Sequence, residues 1–128
     1  MGAITLGGVT LPGDLVWTDE FDWTPVEQST EYTLGGALVV ETGVRLAGRP
    51  ITLAGADDQG WVTRTTLLAL YALAQTPSTG ITLELADARE FDVVFRHGGP
   101  AIEARQVQRV SPPAAGDYYT VTIRLLEV

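Results

Sequence analysis

The densest chemistry in the chain is the run Asp19-Glu20-Phe21-Asp22, with Asp57-Asp58 further along. Carboxylate oxygens are the ligands calcium prefers, so this density raises the question of a cation site. The acids do not follow the spaced ligand pattern of an EF-hand loop, and density alone is a weak sign of a metal. A solvated acidic face accounts for it better, because most charge clusters are solvated and exposed charge pairs contribute little. The one histidine, His97, lies beside Gly98-Gly99 and could serve as a general base, with Asp92 among the acids near it in sequence. It would still need a nucleophile and an orienting acid, and no Gly-x-Ser-x-Gly elbow or comparable signature is present. A turn or packing histidine is the expectation. No catalytic, cofactor-binding or metal-binding residue is assigned.

The third set is aromatic: Trp17, Trp23 and Trp61, with Tyr32, Tyr118 and Tyr119. Exposed rings of this kind can stack on sugar faces, but aromatics are also the commonest core fillers and interface anchors. Core or interface is the favoured reading. Leu11-Pro12-Gly13-Asp14-Leu15-Val16-Trp17 is polar at its turn and apolar on both sides, in a chain end that is mobile unless docked. Residues 1–25 therefore read as a candidate docking arm, with packing inside the chain as the equal alternative. Leu11, Pro12, Trp17, Phe21, Trp23 and Trp61 are the candidate interface residues.

Composition narrows the classes. A chain of 128 residues with 45% apolar content can close one hydrophobic core, so a single domain over 1–128 is expected. The apolar run at 66–74 is about half the roughly 20 residues needed to cross a bilayer, and no membrane partner is expected. Met1-Gly2-Ala3-Ile4-Thr5-Leu6 lacks the basic and long apolar regions of a signal peptide, which makes synthesis in the cytoplasm the default. The absence of cysteine excludes disulfides, thiolate zinc sites and thiol catalysis, and the absence of lysine excludes Schiff-base and P-loop chemistry. Seven carboxylates and no arginine lie between Asp14 and Glu41, while six of the eight arginines lie beyond Val62. An acidic segment of that kind repels phosphate backbones, so specific nucleic-acid binding is not expected.

The elements that must position these residues are short. Turn signals recur every 8 to 15 residues, as in a sandwich or barrel of antiparallel strands. Ile4 to Leu11 reads as a small hairpin about Gly7-Gly8, and Leu15 to Phe21 as a strand. Pro25 opens a hairpin that turns at Gly35-Gly36, running from Glu31-Tyr32-Thr33-Leu34 into 37–41. A strand over Arg49 to Ala54 is expected on the same sheet. Val62 to Gln75 is the one helix, with Leu67, Leu70, Tyr71 and Ala74 as its apolar stripe, Leu68 widening it, and Thr63 or Thr65 as cap. Thr76-Pro77-Ser78-Thr79-Gly80 ends it. Period-two alternation then gives Ile81 to Leu85 and Phe91 to Phe95 as a hairpin, Ile102 to Val110 as a strand, and Tyr118 to Leu126 as the last strand. The fold class is mostly β (α+β), with one packed helix.

Several ordered motifs resemble small tail proteins of long-tailed bacteriophages. They are Leu11-Pro12-x-Asp14-Leu15-Val16-Trp17-x-Asp19-Glu20-Phe21-Asp22-Trp23, Gly48-Arg49-Pro50-Ile51-Thr52-Leu53, Gly60-Trp61-Val62-Thr63-Arg64, Asp87-Ala88-Arg89-x-Phe91-x-Val93-x-Phe95-Arg96-His97, and Tyr119-x-Val121-x-Ile123-x-Leu125. The resemblance spans nearly the whole chain and is greatest to distal tail proteins. It implies a tail-tube-like domain, a homo-oligomeric ring that is a hexamer, tail tube and tail hub proteins as partners, and a place in the virion. Distal tail proteins often carry a further sugar-binding-like domain, and none is expected within these 128 residues. A host-surface carbohydrate-binding module is the second function class. An acidic, lysine-free segment also suits a lumen through which DNA can pass, since negative walls gain nothing from counterion release.

Overall fold

The computed structural model describes residues 3–45, 48–56, 58–77, 80–109 and 111–128. In chain order its elements are β1 (Ile4–Leu6), β2 (Val9–Leu11), β3 (Val16–Trp17), β4 (Val26–Tyr32), β5 (Leu38–Val44), β6 (Pro50–Ala54), β7 (Trp61–Thr63), α1 (Arg64–Gln75), β8 (Ile81–Glu84), β9 (Glu90–Phe95), β10 (Ile102–Gln106) and β11 (Tyr118–Glu127). The fold is mostly β with one helix and antiparallel pairing throughout, as the turn spacing and alternation indicate.

Nine strands form one sheet, in the order β2-β1-β8-β9-β11-β6-β3, with β10 and β7 also paired to β11. The last strand is its spine, because at ten residues it is long enough to pair β6 and β7 along one side and β9 and β10 along the other. Its alternation explains the core: Tyr119, Val121, Ile123 and Leu125 are buried, while Thr120, Thr122 and Arg124 lie half-exposed on the other face. The registers Leu53 opposite Ile123, Ile51 opposite Leu125 and Leu125 opposite Phe95 carry that inner face across the sheet. Leu6 opposite Leu83 extends it to the N-terminal hairpin. So much inner surface exceeds what a helix with two buried side chains, Leu67 and Leu70, can cover. The inner-face residues of the strands pack with one another in a single core, to which α1 adds Leu67 and Leu70.

The helix begins two residues later than expected. Val62 pairs with Tyr119 in β7, and the Thr63 hydroxyl accepts a hydrogen bond from the Thr66 N–H at 3.4 Å, as an N-cap should. Arg64 then ties the first turn to the spine by donating to the Tyr119 hydroxyl at 2.6 Å. The apolar stripe is narrower than the sequence pattern: Leu68 is 55% exposed, and Tyr71 sits at the rim with its hydroxyl donating to the Ile102 carbonyl at 3.2 Å. Part of the expected helix-ending turn, Ser78-Thr79, lies outside the described residues.

Three other expectations change. The strand expected over Leu15 to Phe21 is only β3, because the Asp19 carboxylate accepts from both the N–H and the hydroxyl of Thr52 at 2.9 Å and turns the chain off the sheet. The strand from Ile102 stops at Gln106, and Val110 lies outside the described residues. The hairpin after Pro25 is longer than expected and does not share the sheet of β6: β4 and β5 form a separate two-stranded ribbon. The middle of β4, Glu27 to Glu31, carries no large apolar side chain, and the apolar residues of the ribbon, Val26, Tyr32, Leu38, Val40 and Val44, stay exposed off the core.

Candidate interaction surface

Every residue of β4 and β5 is exposed. The register decides what each face carries. Val26 lies opposite Val44, Gln28 opposite Thr42, Thr30 opposite Val40 and Tyr32 opposite Leu38, so one face is uncharged and largely apolar. Glu27 opposite Gly43, Ser29 opposite Glu41 and Glu31 opposite Val39 put every carboxylate of the two strands on the other. At the tip, Gly36 takes a positive φ of 86°, and the Thr33 hydroxyl accepts from the Ala37 N–H at 3.1 Å, which holds Leu34 fully out in solvent.

The root of the ribbon is fixed by alternating tryptophan and arginine side chains. The Arg49 guanidinium lies 4.5 Å from the Trp17 ring centroid and 6.0 Å from that of Trp23, and Arg45 lies 5.6 Å from Trp23. Arg45 in turn pairs with Glu27 of β4, and its N–H donates to the Pro25 carbonyl at 2.6 Å. Arg49 also donates to the Glu20 carbonyl at 2.7 Å. Cation–π contacts contribute about 0.5–1 kcal/mol each at exposed sites and more where water is excluded, so the series ties the root of the ribbon to β3 and to the residue before β6. The sequence carried a signal for it: Arg45 and Arg49 are the two arginines before Val62, and they are the ones that contact Trp23.

The candidate interface residues part ways in the structure. Leu11 is 1% exposed in the core, together with Ile4, Leu6 and Leu15, so these residues pack inside the chain, the alternative to a docking arm. Their alternation with polar residues placed them on the inner face. Pro12 is half-buried beside Leu11. Trp17 packs edge-on against Phe91 at 5.5 Å and has Arg49 and Arg89 over its ring, which leaves it poorly placed to stack on a sugar. Trp23 is engaged as described. Phe21, 90% exposed, and Trp61, whose indole N–H donates to the Ala56 carbonyl at 3.1 Å beside Tyr118, remain at the surface.

Two of the acids in the dense run are structural: Asp19 holds Thr52, and Glu20 accepts from Arg89 at 2.8 Å. Among the described residues no group of three or more His, Cys, Asp or Glu side chains is placed to hold a metal ion; Asp57 lies outside those residues. Arg89 also pairs with Asp87 at 2.8 Å. The Arg89 backbone N–H is the first cause holding the Asp87 carboxyl below its ordinary value, and the bond from the guanidinium side chain adds to it. A hollow of about 340 Å³ adjoins these groups, floored by Ile4, Leu15, Leu53 and Leu85. Its charged rim of Glu20, Asp87 and Arg89 is occupied internally by those pairs. His97 is exposed, its ring tilted beside Phe95 at 6.4 Å. Among the described residues no helix is long and apolar enough to cross a membrane.

In comparisons with known proteins, no family model matches the chain, and no curated protein or solved structure matches it either.

Proposed function

We propose that the chain is a non-catalytic structural subunit of a phage tail-tip ring, of the distal tail protein kind, joining the tail tube to the hub that carries the receptor-binding apparatus. One observation carries the proposal: a seven-pair ribbon that stands wholly in solvent, with its carboxylates segregated to one face. An isolated two-stranded ribbon is marginal in water, and its edges and apolar face invite pairing with another chain. A ring supplies that partner. The acidic face of Glu27, Glu31 and Glu41 suits a wall past which DNA slides, because a negative surface releases no counterions on meeting phosphates. The motifs that resemble distal tail proteins point the same way, and β10 and β7 at the margins of the main sheet add further edges for neighbours.

The test is the place of the chain in the particle. Electron microscopy of whole virions, with native mass spectrometry of the purified protein, should locate it in a ring between tube and hub. A chain that is absent from the tail and binds neither tube nor hub proteins refutes the proposal.

A further inference from the structure

The helix presents an outer face without charge. From Thr65 to Leu83 the sequence has no Asp, Glu, Arg or Lys, in a chain where 19% of residues are charged. Thr65, Leu68, Ala69, Ala72 and Gln75, spaced three and four apart, are all exposed. A surface helix ordinarily turns charged residues outward, and one that is apolar all round is a buried helix. Here the chain itself buries only Leu67 and Leu70. The second uncharged face of the molecule is that of the ribbon, with Val26, Thr30, Tyr32, Leu38, Val40 and Val44. Neither covers the other within one copy, since both are exposed.

We infer that the uncharged face of the β4–β5 ribbon of one copy seats on the outer face of α1 of a second copy of this chain. The inference rests on the ring reading and supplies its contact. Dimensions agree: a helix of 12 residues is about 18 Å long at 1.5 Å per residue, and a seven-residue strand spans about 23 Å. A second copy is the occupant these observations favour, because one kind of contact covers both faces at once, whereas an unrelated partner on either face leaves the other in water. Two different patches meeting head to tail make a heterologous contact, which closes into a ring or runs on as a filament. The carboxylates of Glu27, Glu31 and Glu41 stay outside it, on the opposite face of the ribbon.

The test uses the full chain. Leu68→Glu removes the seat and leaves the ribbon, while Val40→Glu removes the ribbon face and leaves the seat; Val39→Gln, on the acidic face, is the control. Sedimentation should show assembly for the parent and the control and monomers for each glutamate variant alone, with folding verified by circular dichroism. Mixing the two glutamate variants should restore a dimer, because each supplies the half the other lacks. If one of these variants fails to fold, Ala69→Cys mixed with Thr30→Cys in this cysteine-free chain should give a cross-copy product with a short bismaleimide, and its absence overturns the inference. Glutamate variants that assemble as the parent does, or whose mixture stays monomeric, also overturn it while leaving the ring reading intact. A parent that is monomeric at about 1 mM, where even a contact of about −4 kcal/mol would be half formed, assigns these faces to a different protein and overturns it as well. The location in the virion then decides the ring reading separately.

Discussion

Leu70 and Leu68 are two residues apart on α1, identical in chemistry and opposite in placement, which makes them a paired measurement of how the helix docks. Leu70 is fully buried and Leu68 is 55% exposed. Truncation to alanine barely alters helix propensity, since both residues are good helix formers, so the difference between the variants reports packing. For Leu70→Ala, three carbon groups lose a transfer contribution of about 0.8 kcal/mol each, and the cavity that fails to collapse adds up to about 2 kcal/mol, giving roughly 2.5–4.5 kcal/mol. For Leu68→Ala, which is already half in water, the loss is about 1 kcal/mol or less. With an unfolding entropy of about 2.1 cal/mol/K per residue, a chain of this length loses roughly 9–17 °C in Tm for the first and under about 4 °C for the second. Thermal melts followed by circular dichroism in dilute protein measure both. Equal shifts would refute the packing of the helix. If the ribbon of a second copy seats on α1, the effect of Leu68→Ala should grow with protein concentration, because assembly stabilises only the folded form.

Other outcomes follow from single contacts. Gly60 has a φ of 72°, and a Cβ there would stand 2.8 Å from the Gly55 Cα and 2.9 Å from a Leu15 methyl, so Gly60→Ala should cost about 2–5 kcal/mol in a denaturant melt, and a change below about 0.5 kcal/mol contradicts the close approach. Trp23→Ala removes the ring between Arg45 and Arg49, and amide exchange in 26–44 should quicken while β11 stays protected; unchanged exchange means the ribbon is not held by these rings. Asp87 has its pKa lowered in the folded chain, so the stability it contributes is present above its ordinary value of 3.8 and is lost as pH falls through the lower folded value. Asp87→Asn should therefore flatten the acid limb of the stability curve below about pH 4, and an unaltered limb refutes the role of the Arg89 turn.

Much of the fold was legible because it rests on local periods. The alternation in Tyr119, Val121, Ile123 and Leu125 fixes an inner face whatever the strand pairs with, and Asp87-Ala88-Arg89 marks the turn between β8 and β9. The cap at Thr63 was one of two candidates, and the pairing of Val62 with Tyr119 chose between them. Pairing between distant segments has no such local mark. Nothing in the residues of β4 and β5 states that they leave the main sheet, because the alternation that gives them one apolar face would equally suit a strand packed on the core.

The candidate surface divides in the same way. The sequence by itself determined the supply of chemistry: no thiol, no lysine, an acidic first third, a helix without charge beyond its first residue, and three tryptophans. Tertiary structure decided their use. It took Leu11 into the core, set Arg45 and Arg49 against Trp17 and Trp23, and bound Asp19 and Glu20 to Thr52 and Arg89. It also decided which leucine of the pair Leu67 and Leu68 faces water, because a helical period allows a stripe of either width and only the packing of α1 on the core sets which side chains it covers.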